Sequence, residues 1–251
     1  MMMNPIFSMV MVVNDDAATL AETLDCILNQ DFKNYEVIII DNASTDGSDK
    51  ICRNAVAGRE NVFFKKLYSK LKNIEVWNKV FELVSGNYVL FLKGNDRFLT
   101  NALTELNPLI ENQPADIVSF YSYFEENEKG NITFIDKAFS FSNWFDVKED
   151  GSVTFNDRTF SEQRDEQFKE EKRDMVKSDN GQDAVKFLLN QQMNPFLGTK
   201  LFGVKFLADN GIRFDTHLDD DAAEIFFQSR CFFKAKQFVY LPNALYIAPK
   251  K

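Results

Sequence analysis

Apolar runs and segments with helical periodicity alternate along the N-terminal part of this 251-residue chain. Four apolar runs are typical of buried strands, at residues 7–13, 37–40, 62–65 and 88–92. Three segments between them carry apolar residues at helical spacing, at residues 16–29, 49–57 and 71–84. Strands that alternate with helices favour parallel pairing through right-handed crossovers. The pattern therefore predicts an α/β fold in which helices cover both faces of a mostly parallel central sheet.

The pattern is less regular after residue 101. Helices are predicted at residues 102–110, 182–189, 204–210 and 222–234, and strands at residues 116–123 and 237–240. Residues 125–182 are rich in charge and phenylalanine and show no clear period. Within them, residues 161–179 carry many charges of both signs, which favours a solvated helix or a mobile loop. A lid that orders over a substrate is the alternative.

Composition narrows the class of protein. The formal net charge of -9 argues against nonspecific binding to nucleic acid, because phosphate contacts need clustered Lys and Arg. No apolar run approaches the roughly 20 residues that span a bilayer, and the first residues lack the features of a signal peptide. The three cysteines make no even disulfide framework, so we expect a cytoplasmic protein. The 26 phenylalanines are expected to fill the core rather than to form an aromatic binding platform.

Polar residues follow two of the predicted strands at the point where each strand ends. Strand 37–40 leads into Asp41, Asn42 and Ser44, and strand 88–92 leads into a polar turn. Ligands of open α/β sheets bind outside the carboxyl ends of the strands. We therefore expect these two strand ends to lie side by side and to frame one pocket. For Asp41 and Asn42 the alternative role is an Asx turn that closes the strand.

Three stretches of the sequence resemble the family 2 glycosyltransferases of the GT-A fold. They are FSMVMVVNDDAATLAETLDCILNQDFKNYEVIIIDNASTDGS, SGNYVLFLKGNDRFLTNAL and GTKLFGVKFLADNGIRFD. The resemblance covers nearly the whole chain and implies an inverting enzyme that uses a nucleotide-activated sugar. It implies that residues 1–101 form the nucleotide-sugar-binding half and residues 102–251 the acceptor-binding half of one GT-A domain. A variable segment near residues 125–182 is expected to select the acceptor.

The resemblance also implies which side chains hold the donor. Val12 and Asp15 match the segment that lines the nucleobase pocket in the family, and Asp41 and Asn42 match the polar end of the second strand. Asn42 stands where the family commonly has an Asp that accepts the uracil N–H. The carbonyl oxygen of an Asn side chain accepts in the same way, and its amide also donates.

The Arg-Asn motif that lies near the diphosphate in the family is only half present. Asn78 is kept, but Trp77 stands where the family usually has Arg. Because a Trp cannot pair with phosphate, Trp77 is either a helix residue packed on the sheet or a platform that stacks on a sugar or base.

The turn at residues 93–96 departs from the family pattern, which is Asp-x-Asp-Asp. In the family these carboxylates hold the ribose and a divalent cation that bridges the sugar diphosphate. Here Lys93 stands at the first acidic position, which leaves Asn95 and Asp96 as the ligands of any Mn²⁺ or Mg²⁺. The Lys93 ammonium would repel such a cation. Two interpretations stay open: Lys93 takes the place of the metal beside the diphosphate, or the donor site has decayed.

The resemblance places the catalytic base in a Glu-Asp pair that follows an Ile-Arg-Phe strand. This chain has Ile-Arg-Phe at residues 212–214 and three aspartates at residues 219–221. We expect Asp221 to take the proton from the acceptor hydroxyl, with Asp220 as the second candidate. Capping of a helix is the alternative role for these aspartates. His217, the only histidine, is expected to be polar surface rather than a metal ligand or proton shuttle.

These residues predict a glycosyltransferase-like protein that transfers a sugar from a nucleotide-sugar donor to a glycan or lipid-linked acceptor with inversion. The expected donor is a UDP-sugar, and the expected context is surface polysaccharide or lipopolysaccharide biosynthesis. A lipid-linked acceptor would bring the protein to the inner face of the membrane by peripheral association. The alternative is a catalytically degenerate GT-A module with a binding or regulatory role.

Overall fold

The computed structural model describes residues 4–111, 114–125 and 196–248, and four short strands between them. The strands are β1 (Phe7–Val13), β2 (Tyr35–Asn42), β3 (Val62–Leu67), β4 (Tyr88–Lys93), β5 (Arg97–Phe98), β6 (Ile117–Glu125), β7 (Ile132–Thr133), β8 (Phe145–Val147), β9 (Val153–Phe155), β10 (Val176–Ser178), β11 (Lys200–Gly203) and β12 (Phe238–Ala248). The helices are α1 (Leu20–Leu28), α2 (Ser48–Val56), α3 (Asn73–Val80), α4 (Ala102–Glu111), α5 (Val204–Asp209) and α6 (Asp220–Lys234), and a 3₁₀ turn, Leu197–Thr199, precedes β11. Within these ranges, no helix combines the length and the apolar character needed to cross a membrane.

One sheet organises the described part of the chain. Its strands are ordered β10-β12-β6-β11-β4-β1-β2-β3, and β5 and β7 pair with β12 and β6. β1 runs parallel to both β2 and β4, β2 runs parallel to β3, and β6 runs parallel to β12. β11 runs antiparallel to both of its neighbours, β4 and β6. The predicted fold class, α/β with a mostly parallel central sheet, is confirmed.

Alternate residues of the central strands belong to two different apolar cores. Met11 and Ile39 lie in the core that α1, α2 and α4 cover. Val10 and Ile38 lie in the core that α3, α5 and α6 cover. Because successive side chains of a strand point to opposite faces, helices on both faces are needed to bury strands as apolar as these. The prediction of helices on both faces is confirmed.

An aromatic cluster fills the core under α3 and α6. The ring centroid of Phe91 lies 5.9 Å from that of Trp77, 5.3 Å from that of Phe214 and 5.8 Å from that of Phe227. Phe214 and Phe227 stack with their centroids 4.0 Å apart. Trp77 is fully buried, which confirms its interpretation as a helix residue packed on the sheet. These phenylalanines belong to the core, as predicted for this residue type.

The first four strands and the first two helices lie where the sequence predicts them, within a few residues. α3 is shorter than the predicted helix, 71–84, and β12 is longer than the predicted strand, 237–240. β11 is not predicted, because it has only four residues and contains Lys200, a residue type that is rarely buried. The helix predicted at residues 182–189 lies outside the described residues, as does most of the charged segment 161–179.

A buried carboxylate fastens the chain at the edge of the sheet where β1, β2 and β4 begin. Glu36 accepts hydrogen bonds from the hydroxyl of Ser8 and from both the N–H and the hydroxyl of Ser85. The N–H of Gly86 donates to Ser8 Oγ at 2.9 Å. These bonds hold the end of the segment between α3 and β4 against the start of the sheet.

Candidate active site

The carboxyl ends of β4, β1 and β2 form the opposite edge of the sheet. Val12 of β1 is paired with Lys93 of β4 on one side and with Ile40 of β2 on the other. The expectation that the ends of β2 and β4 lie side by side is therefore wrong: β1 separates them by two strand spacings, about 10 Å. The order of elements along a chain does not fix their order in a sheet, and here the first strand is central.

The two polar residues that end β2 face opposite sides of the sheet. Asn42 follows Ile40 on the face of α3 and α6, the face on which Val12 also lies. Asp41 lies on the other face, where its Oδ1 accepts the N–H of Ser44 at 3.0 Å. This bond closes a side-chain turn that reaches one residue further than the Asx turn expected for Asp41.

The amide groups of Asn42 and Asn78 both pair with the backbone. Asn42 Oδ1 accepts the N–H of Leu71 at 3.0 Å, and its Nδ2 donates to the carbonyl of Leu71 at 2.8 Å. Asn78 pairs in the same way with Phe214, at 2.9 and 2.8 Å. Each amide thus fixes a neighbouring segment: Asn42 fixes the chain before α3, and Asn78 fixes the chain before α6.

The loops that follow β1 and β2 are tied to each other. Asp15 has a φ of 55°, its N–H donates to Ser44 Oγ at 3.0 Å, and its Oδ1 accepts the N–H of Thr45 at 2.7 Å. Asp46 Oδ2 accepts the N–H of Ala17 at 2.8 Å. Residues that are far apart in sequence therefore form one rigid rim beside the end of β1.

Gly94 allows the loop after β4 to approach the loop after β1. A Cβ at Gly94 would lie 2.2 Å from Asp16 Oδ2, so any side chain there would displace the Asp16 carboxylate. The carbonyl of Gly94 also accepts a hydrogen bond from Thr23 Oγ1 at 3.0 Å. Burial raises the pKa of Asp16, and the N–H of Asn14 partly opposes this rise.

Asp96, the one carboxylate of the 93–96 turn, is buried and both of its oxygens are engaged. Tyr246 Oη donates to Oδ1, and the N–H of Lys93 donates to Oδ2 at 2.8 Å. Burial raises the pKa of Asp96 to about 6, although these two hydrogen bonds lower it. Gly198 packs against this pair, since a Cβ there would lie 2.9 Å from the Tyr246 ring.

The Lys93 ammonium forms an ion pair with Glu224 of α6. The two charged atoms, Lys93 Nζ and Glu224 Oε1, are 2.7 Å apart. The Lys93 side chain is 39% exposed, whereas that of Glu224 is 11% exposed, so the ammonium marks the boundary between core and solvent. Burial opposes the charge of Lys93, but the charges of Glu224, Asp96 and Asp221 outweigh it and raise its pKa.

The charge of Glu224 also acts on a second lysine. Lys200 of β11 is fully buried, and its Nζ donates to the carbonyl of Phe196 at 3.0 Å and to Thr199 Oγ1 at 3.1 Å. Burial lowers the pKa of Lys200 to about 7, and the negative charge of Glu224 works in the opposite direction. The Glu224 charge therefore acts on two lysines. Lys93 is partly exposed, and Lys200 is buried.

The three aspartates at the start of α6 have different surroundings. Asp219 caps α6, because its Oδ1 accepts the N–H of Ala222 at 2.8 Å. The Asp220 carboxylate lies at the start of α3, 3.2 Å from the nitrogen of Asn73. Asp221 is exposed, and its charge acts on the Lys93–Glu224 pair. The capping role is thus confirmed for Asp219, and Asp220 serves α3 in a similar way.

The described residues do not fit a divalent cation at the 93–96 turn. Both oxygens of Asp96 already accept hydrogen bonds, and Lys93 brings a positive charge to the same turn. Asn95 is half-buried, and His217 is exposed in the loop before α6. Among the residues that the structure describes, no group of three His, Cys, Asp or Glu side chains is arranged to hold a metal. A metal of the kind that the resemblance implies has no ligand set here.

Three residues of this site are not predicted from the sequence: Glu224, Lys200 and Tyr246. Glu224 lies one helical turn after Asp221, so the helical spacing of the two acids was the available signal. Lys200 lies in the stretch GTKLFGVKFLADNGIRFD, which carries the resemblance, but no local pattern predicts that its side chain is buried. No local pattern marks Tyr246, whose position follows from strand pairing.

Comparisons with known proteins agree with this architecture. A family model described as Glycosyl transferase family 2 matches residues 8–174. The glycosyltransferase GlyG of Streptococcus pneumoniae serotype 4 is 26% identical over 134 residues, which are 53% of this chain and 44% of that protein. The amylovoran biosynthesis glycosyltransferase AmsB of Erwinia amylovora is 29% identical over 109 residues, 42% of this chain and 36% of that protein. The matches span less than half the length of these two relatives.

Solved structures with the same fold are more distant in sequence. TarS of S. aureus, residues 1–349, in complex with UDP-GlcNAc, has a TM-score of 0.69 at 18% identity, over 98% of this chain and 58% of that one. The mannosyltransferase PcManGT of Pyrobaculum calidifontis, in complex with GDP-Man and Mn²⁺, has a TM-score of 0.61 at 13% identity, over 99% and 58%. The fold is thus that of the GT-A glycosyltransferases. Since the family model also matches more than half of its length, the chain belongs to glycosyl transferase family 2.

Proposed function

We propose that this chain is a glycosyltransferase domain that transfers a sugar from a UDP-sugar to a hydroxyl of a glycan or lipid-linked acceptor, with inversion. The observation that carries the proposal is the partly exposed Lys93 ammonium at the end of β4, next to the central strand. The solved relative TarS has been captured with UDP and with UDP-GlcNAc, which supports a nucleotide-sugar donor. The name of AmsB, which refers to amylovoran biosynthesis, supports a role in surface polysaccharide assembly.

Lys93 is proposed to hold the diphosphate in place of a metal. An ammonium at this position offers a fixed positive charge and three N–H donors to the phosphate oxygens. The same charge stabilises the negative charge that grows on the diphosphate as it leaves. No step of the proposed reaction uses Mn²⁺ or Mg²⁺.

The nucleoside is proposed to lie over the end of β1. Val12 and Asp15 would line the base, as the resemblance implies. Asn42 would shape the pocket through the Leu71 backbone that it holds, because both ends of its amide are engaged there.

Asp221 is proposed as the base. The acceptor hydroxyl oxygen attacks the anomeric carbon and forms the new C–O bond, while the bond from that carbon to the diphosphate oxygen breaks. The bonding electrons leave with the diphosphate, and the hydroxyl proton passes to the Asp221 carboxylate. Attack opposite the leaving group inverts the anomeric centre. The products are the glycoside and UDP.

One observation favours the second candidate function, a degenerate module that binds without turnover. Asp96 is sealed by Tyr246 and the Lys93 backbone, and Lys93 is itself neutralised by Glu224. Because these charged groups are paired with one another, the site attracts the phosphates of a donor less strongly. Turnover of a UDP-sugar, measured as UDP release, separates the enzyme from this module, because both are able to bind UDP.

The test is calorimetric titration of the chain with UDP, once with Mn²⁺ and once with EDTA. We expect the same affinity in both buffers, because no metal site is used. Lys93→Ala should weaken binding about 10-fold to 100-fold, since a charge-assisted hydrogen bond contributes about 1.5–3 kcal/mol.

The matched control is Lys205→Ala. Lys205 is exposed on α5, where it pairs with Asp209. α5 follows Gly203, which pairs with Tyr88 at the start of β4, so Lys205 lies at the other edge of the sheet. Its variant should bind UDP like the unchanged protein. Lack of UDP binding, or binding that ignores Lys93→Ala, would reject the lysine-assisted enzyme.

A further inference from the structure

The Lys93 ammonium, which a donor diphosphate needs, already forms an ion pair with Glu224. The two atoms are 2.7 Å apart, within the range of a direct charge-assisted contact. The ammonium has three N–H donors and one positive charge, and the contact with Glu224 engages one of the donors and offsets the charge. In the free chain, Glu224 and a diphosphate therefore compete for the same cation.

Lys93 has the freedom to change partner. Its backbone is fixed in β4 by pairing with β1, and its N–H is held by Asp96. Its side chain is a flexible four-carbon stem that is 39% exposed. Rotation of that stem moves the ammonium without moving the strand.

Release of Lys93 leaves Glu224 without the counter-charge of this ion pair. A buried carboxylate without a counter-charge is strongly unfavourable. Glu224 is itself buried, and its ion pair with Lys93 lies at 2.7 Å. This cost opposes release of Lys93, so binding of a diphosphate to the ammonium must offset it.

We propose that Glu224 is a positioning residue that holds the Lys93 ammonium while the donor site is empty and releases it to the diphosphate of the incoming nucleotide. This inference rests on the proposed function, since it assumes that Lys93 binds the donor. It adds a cost to donor binding that is set by Glu224. Removal of the Glu224 charge should therefore tighten binding of UDP, which damage to the fold would not do.

The test is calorimetric titration of Glu224→Gln with UDP. We expect binding about 2-fold to 5-fold tighter than that of the unchanged protein, the range for breaking a partly exposed ion pair. Glu224→Asp keeps the charge but shortens the side chain, so its affinity should lie between the two. Urea unfolding of each variant verifies that it is folded.

A double variant shows whether the effect acts through Lys93. In the Lys93→Ala background, the added Glu224→Gln change should leave UDP affinity unaltered. If Glu224→Gln tightens binding equally in both backgrounds, the cause is general electrostatic repulsion and the inference is wrong. It is also wrong if Glu224→Gln alone binds UDP no tighter than the unchanged protein.

Failure of the inference differs from failure of the proposed function. When Lys93→Ala weakens UDP binding but Glu224→Gln does not tighten it, the donor site stands and only the role of Glu224 is rejected. When Lys93→Ala has no effect on UDP binding, both are rejected.

Discussion

Three consecutive aspartates, all with the same side chain, have different tasks because the backbone offers each a different partner. Asp219 accepts an N–H of α6, and Asp220 lies at the first N–H groups of α3. Asp221 remains exposed beside the charges of Lys93 and Glu224. At the scale of the residue, the position of a carboxylate relative to helix ends decides whether it stabilises the fold or is available to a substrate.

This contrast can be measured in two variants. Asp221→Asn should lower the turnover of a UDP-sugar, measured as UDP release, about 100-fold or more, because the variant lacks the proposed base. The free energy of unfolding and the affinity for UDP should stay nearly constant. Asp219→Ala is the companion variant: loss of its cap should cost about 1 kcal/mol of stability. Full turnover by Asp221→Asn would assign the base elsewhere.

At the scale of the element, α6 connects the core to the site. Phe227 stacks on Phe214 and contacts Phe91, and Glu224 lies one turn earlier on the same helix. Lys93 lies two residues after Phe91 on the same face of the sheet. The aromatic cluster therefore sets the spacing between β4 and α6, and with it the distance between Lys93 and Glu224.

The sequence predicts the elements better than the contacts between them. Apolar runs predict β1, β2 and β4 because those strands are buried on both faces, and the polar ends of β2 and β4 indicate Asn42 and Lys93 as candidates. Short β11 has no such signal, and the central position of β1 follows from topology. Glu224 pairs with Lys93 only because α6 docks on the face where Lys93 lies, which is a property of the packed sheet.

Gly86, in the segment that joins α3 to β4, allows a test of the edge of the sheet where β1, β2 and β4 begin. A Cβ at Gly86 would lie 2.5 Å from Ser8 Oγ and 2.8 Å from Ser8 N, so Gly86→Ala must displace the backbone and break the bond to Ser8. We expect a loss of about 2–4 kcal/mol in the free energy of unfolding, measured with urea.

The control for this substitution is Gly203→Ala, where the nearest atoms would be 3.4 Å away. It should change the free energy of unfolding by less than about 1 kcal/mol. Equal urea midpoints for the two variants would mean that the contact with Ser8 does not exclude a side chain at residue 86.

At the scale of the whole molecule, the buried Lys200 makes stability depend on pH. Its pKa is about 7 in the folded chain and has its ordinary value of 10.5 when solvated. Between these values the unfolded chain binds the extra proton, so the free energy of unfolding rises with pH over this window. It is lowest below pH 7, where the folded chain also carries the proton.

Lys200→Met removes this dependence. From pH 7 to pH 9 the unchanged protein should gain about 2 kcal/mol from this group, and the variant should lack that gain. Urea unfolding at the two pH values measures the difference. Parallel pH profiles for the two proteins would show that Lys200 keeps an ordinary pKa in the folded chain.

The bond between Tyr246 and Asp96 has a consequence for synthesis on the ribosome. The two residues are 150 positions apart, so at typical rates of translation Asp96 is made about ten seconds before Tyr246. During that interval the Asp96 carboxylate, which is buried in the folded chain, lacks the hydrogen bond from Tyr246. The turn at residues 93–96 therefore cannot reach its mature form until β12 has emerged and joined the sheet.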